Sequence, residues 1–269
     1  MATASSSAGV GSLLRDWRHR RRTTQLELAL SAGISARHLS FVETGRSQPG
    51  RDMLLRVAEQ LDIPYRERNQ ILLVAGHAPA FPERPLQDPV LAPVRVAIDR
   101  ILDAHEPFPA IAFDRGWNLV AANTPASRMV EGIAIDRSLL EPPVNVLRIG
   151  LHPRGLAPHI VNLAHWRAHF LRRLSHQIAV TGDAELKTLM EEVATYPVSE
   201  ADDIGVAGPG ASEILGPVRM RVPVGGEWSF FGMFAGFDTP FEVTTSELAL
   251  ELLFPADRAT QEAFKKGAA

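Results

Sequence analysis

The residues whose types and spacing can do chemistry come early: Gln25, Ser35, Ala36, Arg37, Ser40 and Phe41. They fall in residues 24–47, which read as two short helices around a tight turn. Thr24 and Glu27 have the spacing of a capping box, in which hydroxyl and carboxylate each satisfy a free backbone N–H of the first turn. Gly33 suits the turn because it takes positive φ with no Cβ clash. Ser35 is placed to cap the second helix. A helix entered in this way can put its first turn in a major groove while the preceding helix crosses the backbone. In that geometry Gln25 hydrogen-bonds a phosphate, and Ala36, Arg37, Ser40 and Phe41 face outward. Arg37 has the strong base partner, the O6/N7 edge of guanine. Residues 18–22, Arg-His-Arg-Arg-Arg, end the preceding helix with cations that suit both its dipole and a phosphate, Arg22 among them.

Three more helices must hold this pair in place. Residues 10–22 carry Val10, Leu13, Leu14 and Trp17 on one face. A helix opened by Pro49-Gly50 buries Leu54, Val57, Ala58 and Leu61, and a fifth runs over residues 65–75 to Gly76. Residues 10–61 resemble the phage-repressor-like (XRE) helix-turn-helix family. The pattern is met at Gln25 to Ala29, Ala32 to Ser35 and Leu39 to Arg46. The resemblance implies that Ser35, Ala36, Arg37 and Ser40 read DNA and that Arg46 and Ser47 touch phosphate. Ala36 departs from the longer polar residue often found at its position.

Charge supports the division of labour. The net charge is −3, but residues 1–76 hold 11 Arg and no Lys against 7 acidic residues, leaving the rest of the chain acidic. Only the first part suits a polyanion. The chain of 269 residues has no Cys, which excludes disulfides, thiol catalysis and thiolate metal sites. No apolar run is long enough to span a membrane. Residues 1–9 read as a disordered leader and not a signal peptide, so a cytoplasmic location is expected. Residues 77–93 carry Pro79, Pro82, Pro85, Pro89 and Pro93 and read as a stiff linker.

Beyond the linker, residues 94–105 read as a helix and residues 109–113 and 117–122 as strands joined by an Asp-Arg-Gly hairpin turn. Asn123 caps a short helix with Pro125 at its first position. Residues 158–178 and 183–194 read as helices, and residues 205–216 as a loop. A Gly225-Gly226 hairpin joins strands 218–224 and 227–237, and residues 241–243 add a short strand. Thr244 and Glu247 repeat the capping-box spacing, which predicts a last helix through Leu253 and a polar, fraying tail over residues 258–269.

The strand, turn, strand, Asn, short helix order of residues 110–129 resembles the opening of a PAS-like sensor domain. The stretches Pro142 to Arg148, Asn162 to Arg167 and Phe254 to Asp257 resemble the ligand-binding domain of MmyB-like transcription regulators. The expected class is therefore α+β: an all-α five-helix helix-turn-helix domain (10–76), then a PAS-like domain (94–257) with an antiparallel sheet flanked by helices. The resemblance implies a regulator that binds double-stranded DNA, and the geometry of paired half-sites leads to the expectation of a homodimer. The resemblance also implies that the second domain senses a small, fatty-acid-like apolar molecule.

Such a pocket draws its wall from apolar residues. The candidates are Phe113, Val120, Met129, Leu163, Trp166, Phe170, Met220, Phe230, Met233 and Phe234, with Arg148, His152 and Arg221 as anchors for a carboxylate. His165 and His169 share a helical face, but Trp166 stands where a zinc hydrolase of that spacing has Glu, and no third ligand is evident. No metal is expected. No Gly-x-Ser-x-Gly, phosphate loop or dinucleotide fingerprint is present, so no catalytic residue is assigned. The alternatives are a flavin- or haem-carrying sensor or enzyme with a DNA-localising head, or an interaction module that has lost base reading.

Overall fold

The structure is a computed structural model and describes residues 9–133, 136–198, 216–222, 225–237 and 241–266. The leader at 1–8 and most of the loop expected at 205–216 lie outside the described residues. The chain forms two compact units, one carried by residues up to Glu83 and one by Arg84–Ile178 with most of the remaining chain. The division falls inside the Pro-rich stretch.

The first unit holds five helices, α1 (Val10–Arg20), α2 (Gln25–Ser31), α3 (Ala36–Glu43), α4 (Arg51–Gln60) and α5 (Tyr65–Val74). Their apolar faces meet in one core around Leu14, Leu28, Leu39, Leu54 and Ile71. Local capping sets the boundaries. Thr24 and Glu27 form the full capping box of α2, and the Ser35 hydroxyl accepts from the backbone N–H of His38 at the start of α3. Gly33 has φ +66, the left-handed turn the sequence calls for. A Cβ on Gly11 would lie 2.2 Å from the Val42 carbonyl oxygen, so only glycine lets α1 cross α3 this closely. Part of the Pro-rich stretch packs here: Asn69 accepts from the N–H of Ala80 and Phe81 and donates to the Phe81 carbonyl, and Tyr65 stacks on Phe81.

The second unit is built on a five-stranded antiparallel sheet of β1 (Ala110–Phe113), β2 (Leu119–Ala122), β3 (Val218–Arg221), β4 (Glu227–Gly236) and β5 (Ala249–Pro255). The strand order is β2-β1-β5-β4-β3, so the last strand in sequence is the central one. Helix α6 (Ala92–Ala104) covers one face, where Ile98 and Leu102 meet Ala110, Ala112, Leu250 and Leu252. The other face carries the larger core, packed by α7 (Thr124–Glu131), α8 (Val146–Leu151), α9 (Leu163–Thr181) and α10 (Ala184–Ala194). Buried Asn123 caps α7. Its amide also donates to the carbonyls of Leu102 and Phe108 and accepts from the N–H of Ala110, tying α6, β1 and α7 together.

The structure corrects the sequence at the carboxyl end. Residues 244–253 are not a helix. A single turn, α11 (Val243–Ser246), takes the place of the strand expected at 241–243, and β5 comes directly after it. Thr244 does not cap: its hydroxyl donates to the Arg84 carbonyl. The tail does not fray among the described residues, because α12 (Arg258–Lys265) is capped by Asp257. Pro125 is the second residue of α7 and not the first, and α9 starts at Leu163, since Ile160 bridges Met220 before it.

Phe264 of α12 is 2 % exposed and meets the rings of Trp228 and Phe230. Phe264→Ala is therefore expected to destabilise the second unit by about 3–5 kcal/mol, read from chemical denaturation. A loss below ~1 kcal/mol would show that α12 is not part of this core.

Candidate functional site

Two sites emerge, one in each unit. In the first, buried Glu43 at the end of α3 fixes how the helices meet. Arg18 of α1 donates to both carboxylate oxygens, Nε to Oε1 at 2.7 Å and Nη2 to Oε2 at 2.8 Å. Gln25 of α2 donates to Oε2 at 2.7 Å, and Arg15 donates to the Glu43 carbonyl at 2.7 Å. Burial pushes the Glu43 carboxyl up, but the hydrogen bonds from Arg18 and Gln25 and the charges of Arg18 and Arg15 together hold it below the ordinary range. One carboxylate thus sets the angle between α2 and α3.

This geometry sorts the sequence-predicted residues. Arg37 is exposed at the front of α3, its guanidinium 5.3 Å from the Phe41 ring centre, so the ring supports it from behind. Ser40 and Ser47 are partly buried, and Arg46 is exposed just past α3. Arg22 is exposed in the turn before α2, at φ 52. Three residues depart from expectation. Gln25 is partly buried and commits one of its two amide N–H groups to Glu43. Ala36 is partly buried and packs against the core. Phe41 is partly covered and works as the platform under Arg37. The basic run at 18–22 also divides: Arg18 is buried on Glu43, and Arg21 donates to the carbonyls of Leu61 and Asp62 at the end of α4. Glu43→Ala leaves the Arg18 guanidinium buried with no carboxylate and is expected to cost the first unit about 3–5 kcal/mol, measured by denaturant titration.

The second site is a cavity of about 290 Å³ between the sheet and its helices. Its wall comes from β1 and β2 (Ala110, Ile111, Leu119, Ala122), α7 (Ala126, Ser127, Met129, Val130), α8 (Val146, Leu147, Ile149, Gly150), α9 (Trp166, Phe170), β3 (Val218, Met220) and β5 (Glu251, Leu253). Of the residues nominated from sequence, Met129, Trp166, Phe170 and Met220 line it. Phe113, Leu163 and Phe230 are buried in the solid core beside it. Phe234 joins that core, at ring-contact distance from Phe113, Trp117 and Phe170. Val120 packs on the opposite, α6 side of the sheet, and Met233 is exposed.

None of the three nominated cations lines the cavity. Arg148 donates to both carboxylate oxygens of Glu192 of α10, at 2.8 and 2.7 Å. His152 sits edge-on to Tyr196 and accepts from the N–H of Arg154. Arg221 is exposed at the end of β3. No cluster of His and carboxylates fit for a metal occurs among the described residues.

Sequence reasoning missed Glu251, which the expected helix had hidden. On β5 it alternates with Leu250 and Leu252, which face α6, so Glu251 and Leu253 project into the cavity. It makes no hydrogen bond or ion pair with any described residue. Burial pushes its carboxyl up to about 7, and the charge of Arg173 on α9 pulls it back only partly. Since the folded value lies above the ordinary 4.5, folding holds the proton more tightly than the open chain does. The stabilisation is whole below that ordinary value and is lost as pH rises to about 7. Between about pH 5 and pH 8 the wild type is expected to lose on the order of 3 kcal/mol relative to Glu251→Gln, in paired denaturation curves. A gap that stays constant with pH would mean that Glu251 is ionised throughout.

Comparison with known proteins agrees with both halves. The helix-turn-helix family matches residues 14–68, and the MmyB-like transcription regulator ligand binding domain matches residues 94–266, more than half of the chain. A curated relative, the uncharacterized HTH-type transcriptional regulator RghRB of Bacillus subtilis (strain 168), is 36% identical over 74 residues. That match takes in 27% of this chain and 51% of the relative, so the chain spans about half of that relative's length. Among solved structures, the clp gene regulator ClgR from Corynebacterium glutamicum is 23% identical, with 36% of this chain and 90% of that one covered at a TM-score of 0.22. An RNA-binding Light-Oxygen-Voltage receptor is 11% identical, with 94% and 64% covered at 0.25. Both superpose too loosely to bear on fold or ligand. No described helix is long and apolar enough to cross a membrane. The chain belongs to the MmyB-like transcription regulators, with a helix-turn-helix domain joined to the family's ligand-binding domain.

Proposed function

We propose that this regulator binds a double-stranded operator through the front of α3, and that a small apolar molecule in the second unit controls the binding. The observation that carries the reading is the cavity itself. Its wall is almost entirely hydrocarbon, and it lies in the domain that the family uses for a ligand. Apolar ligands gain by leaving water for such a wall, and Met129 and Met220 adapt it to an irregular shape. The ligand is fatty-acid-like in its body, a flexible hydrocarbon chain.

On the DNA side, Arg37 reads a guanine, with Ser35 and Ser40 beside it on the outward turn, and Arg22, Arg46 and Ser47 contact phosphates. Exposure of Arg22, Arg37 and Arg46 supports these roles. A homodimer in the cytoplasm would place two α3 helices on half-sites a helical turn apart. Ligand binding would then bias the spacing of the two heads, and so operator affinity.

Denaturing extraction of the purified protein, followed by mass spectrometry, tests the ligand reading: a bound hydrocarbon-chain molecule is expected. Duplexes selected from a random pool test the DNA reading. Arg37→Ala should weaken the selected site by about 10–100-fold and relax preference at one base pair. Arg46→Ala should weaken all duplexes alike and reduce the salt slope by about one. Selected binding that survives Arg37→Ala unchanged sinks the assignment of α3.

A further inference from the structure

The cavity holds one polar group deep in its wall, and that group is an acid. Glu251 sits at the middle of β5, between Ile111 of β1 and Phe234 of β4. Its Oε1 lies 3.3 Å from where a Cβ on Gly232 would stand, so the carboxyl rests over a stretch of β4 with no side chain. It makes no hydrogen bond with any described residue. The other acid of the wall, Glu131, is exposed at the end of α7.

No cation among the described residues lines the cavity. Arg173 is the charged group that faces Glu251 from α9, but its guanidinium lies 3.7 Å from the Phe234 ring centre and is held there over the aromatic face. It forms no ion pair with Glu251 among the described residues. His169, also on α9, sits edge-on to Phe170, and Arg148 on α8 is engaged by Glu192.

A ligand carboxylate placed here would meet a wall with no counter-charge and a second carboxyl beside it, and an unpaired buried charge is costly. A hydroxyl meets no such penalty. It donates to Glu251 when the acid is ionised and accepts from it when the acid is protonated. We propose that Glu251 anchors the head group of the ligand, and that the cavity selects a hydrocarbon chain ending in an uncharged hydroxyl over the same chain ending in a carboxylate. This rests on the reading of the cavity as the ligand site, and fixes the chemistry of its polar end.

The test uses the full chain, stripped of bound lipid on a hydrophobic resin, with 1-decanol and decanoate as probes at about pH 7.5. Fluorescence of Trp166, which lines the cavity, and calorimetry read the binding. Decanol should bind at least about tenfold more tightly than decanoate, with little change between about pH 6 and pH 8, whereas decanoate should weaken as pH rises. Glu251→Leu should weaken decanol by about tenfold or more, the loss of one hydrogen bond to an ionisable group. Glu251→Gln keeps a hydrogen-bonding head and should retain decanol, while bringing decanoate within a few-fold of it. Thermal melts confirm that both variants fold. Decanoate binding as tightly as decanol, or decanol binding unaffected by Glu251→Leu, overturns the anchor and leaves the cavity reading intact. Failure of both probes to bind overturns the two together.

Discussion

A carboxylate taken out of water must be given back its hydrogen bonds, and the DNA-reading half of this protein depends on how that is done at Glu43. Three side chains from two other helices converge on the end of α3: Arg18 and Arg15 from α1, and Gln25 from α2. The arrangement is directional, because a bidentate guanidinium fixes both distance and plane. Burying an ion pair is poor evidence for stability as such, since desolvation offsets much of the attraction. What the pair supplies is register. The apolar core of Leu14, Leu28 and Leu39 tolerates small slides of one helix on another, and the Arg18–Glu43 pair does not.

That constraint explains which cations are left for DNA. Arg18 and Arg21 lie in the run that looks most like a phosphate grip, yet both are consumed in tying helices together. Among the exposed cations of this unit, Arg22 lies before α2, Arg37 at the front of α3 and Arg46 after it. A rigid pair of helices with its charges at the edges suits recognition, since geometry set before binding draws nothing from the binding energy.

The first unit was legible because its signals are local. Thr24 with Glu27, Gly33 and Ser35 act within one turn of where they stand, so spacing alone predicts the helices they cap. The role of Gln25 was not legible, because its partner is 18 residues away and reaches it only through the fold. The same limit applied to Arg148 and Glu192, 44 residues apart. Trp166, Phe170 and Met129 lie on helices that the sequence also announces, α7 through its Asn123 cap and α9 through the helix expected over 158–178, whose observed start is Leu163. Residues 249–255 failed for an opposite reason. Ala, Leu and Glu favour a helix, and the Thr244 to Glu247 spacing supplies an apparent start. The strand forms because β1 and β4 pair with both its edges, a demand that comes from over a hundred residues upstream as well as from nearby.

Two carboxyls, Glu43 and Glu251, make opposite use of the same physics. Glu43 is surrounded by donors, stays ionised, and its charge serves internal order. Glu251 has no donor and keeps its proton to near neutrality, so its hydrogen-bonding capacity is unused. A group of the first kind explains itself from the folded chain alone. A group of the second kind costs stability with no offsetting contact inside the chain, and an apolar side chain of similar size would remove that cost. Its position makes the cost intelligible. It stands on the central strand, where register is fixed on both sides, and it faces the hollow lined by α7, α8 and α9. A molecule held in that hollow would meet the side chains of three helices and those of a strand paired along both edges.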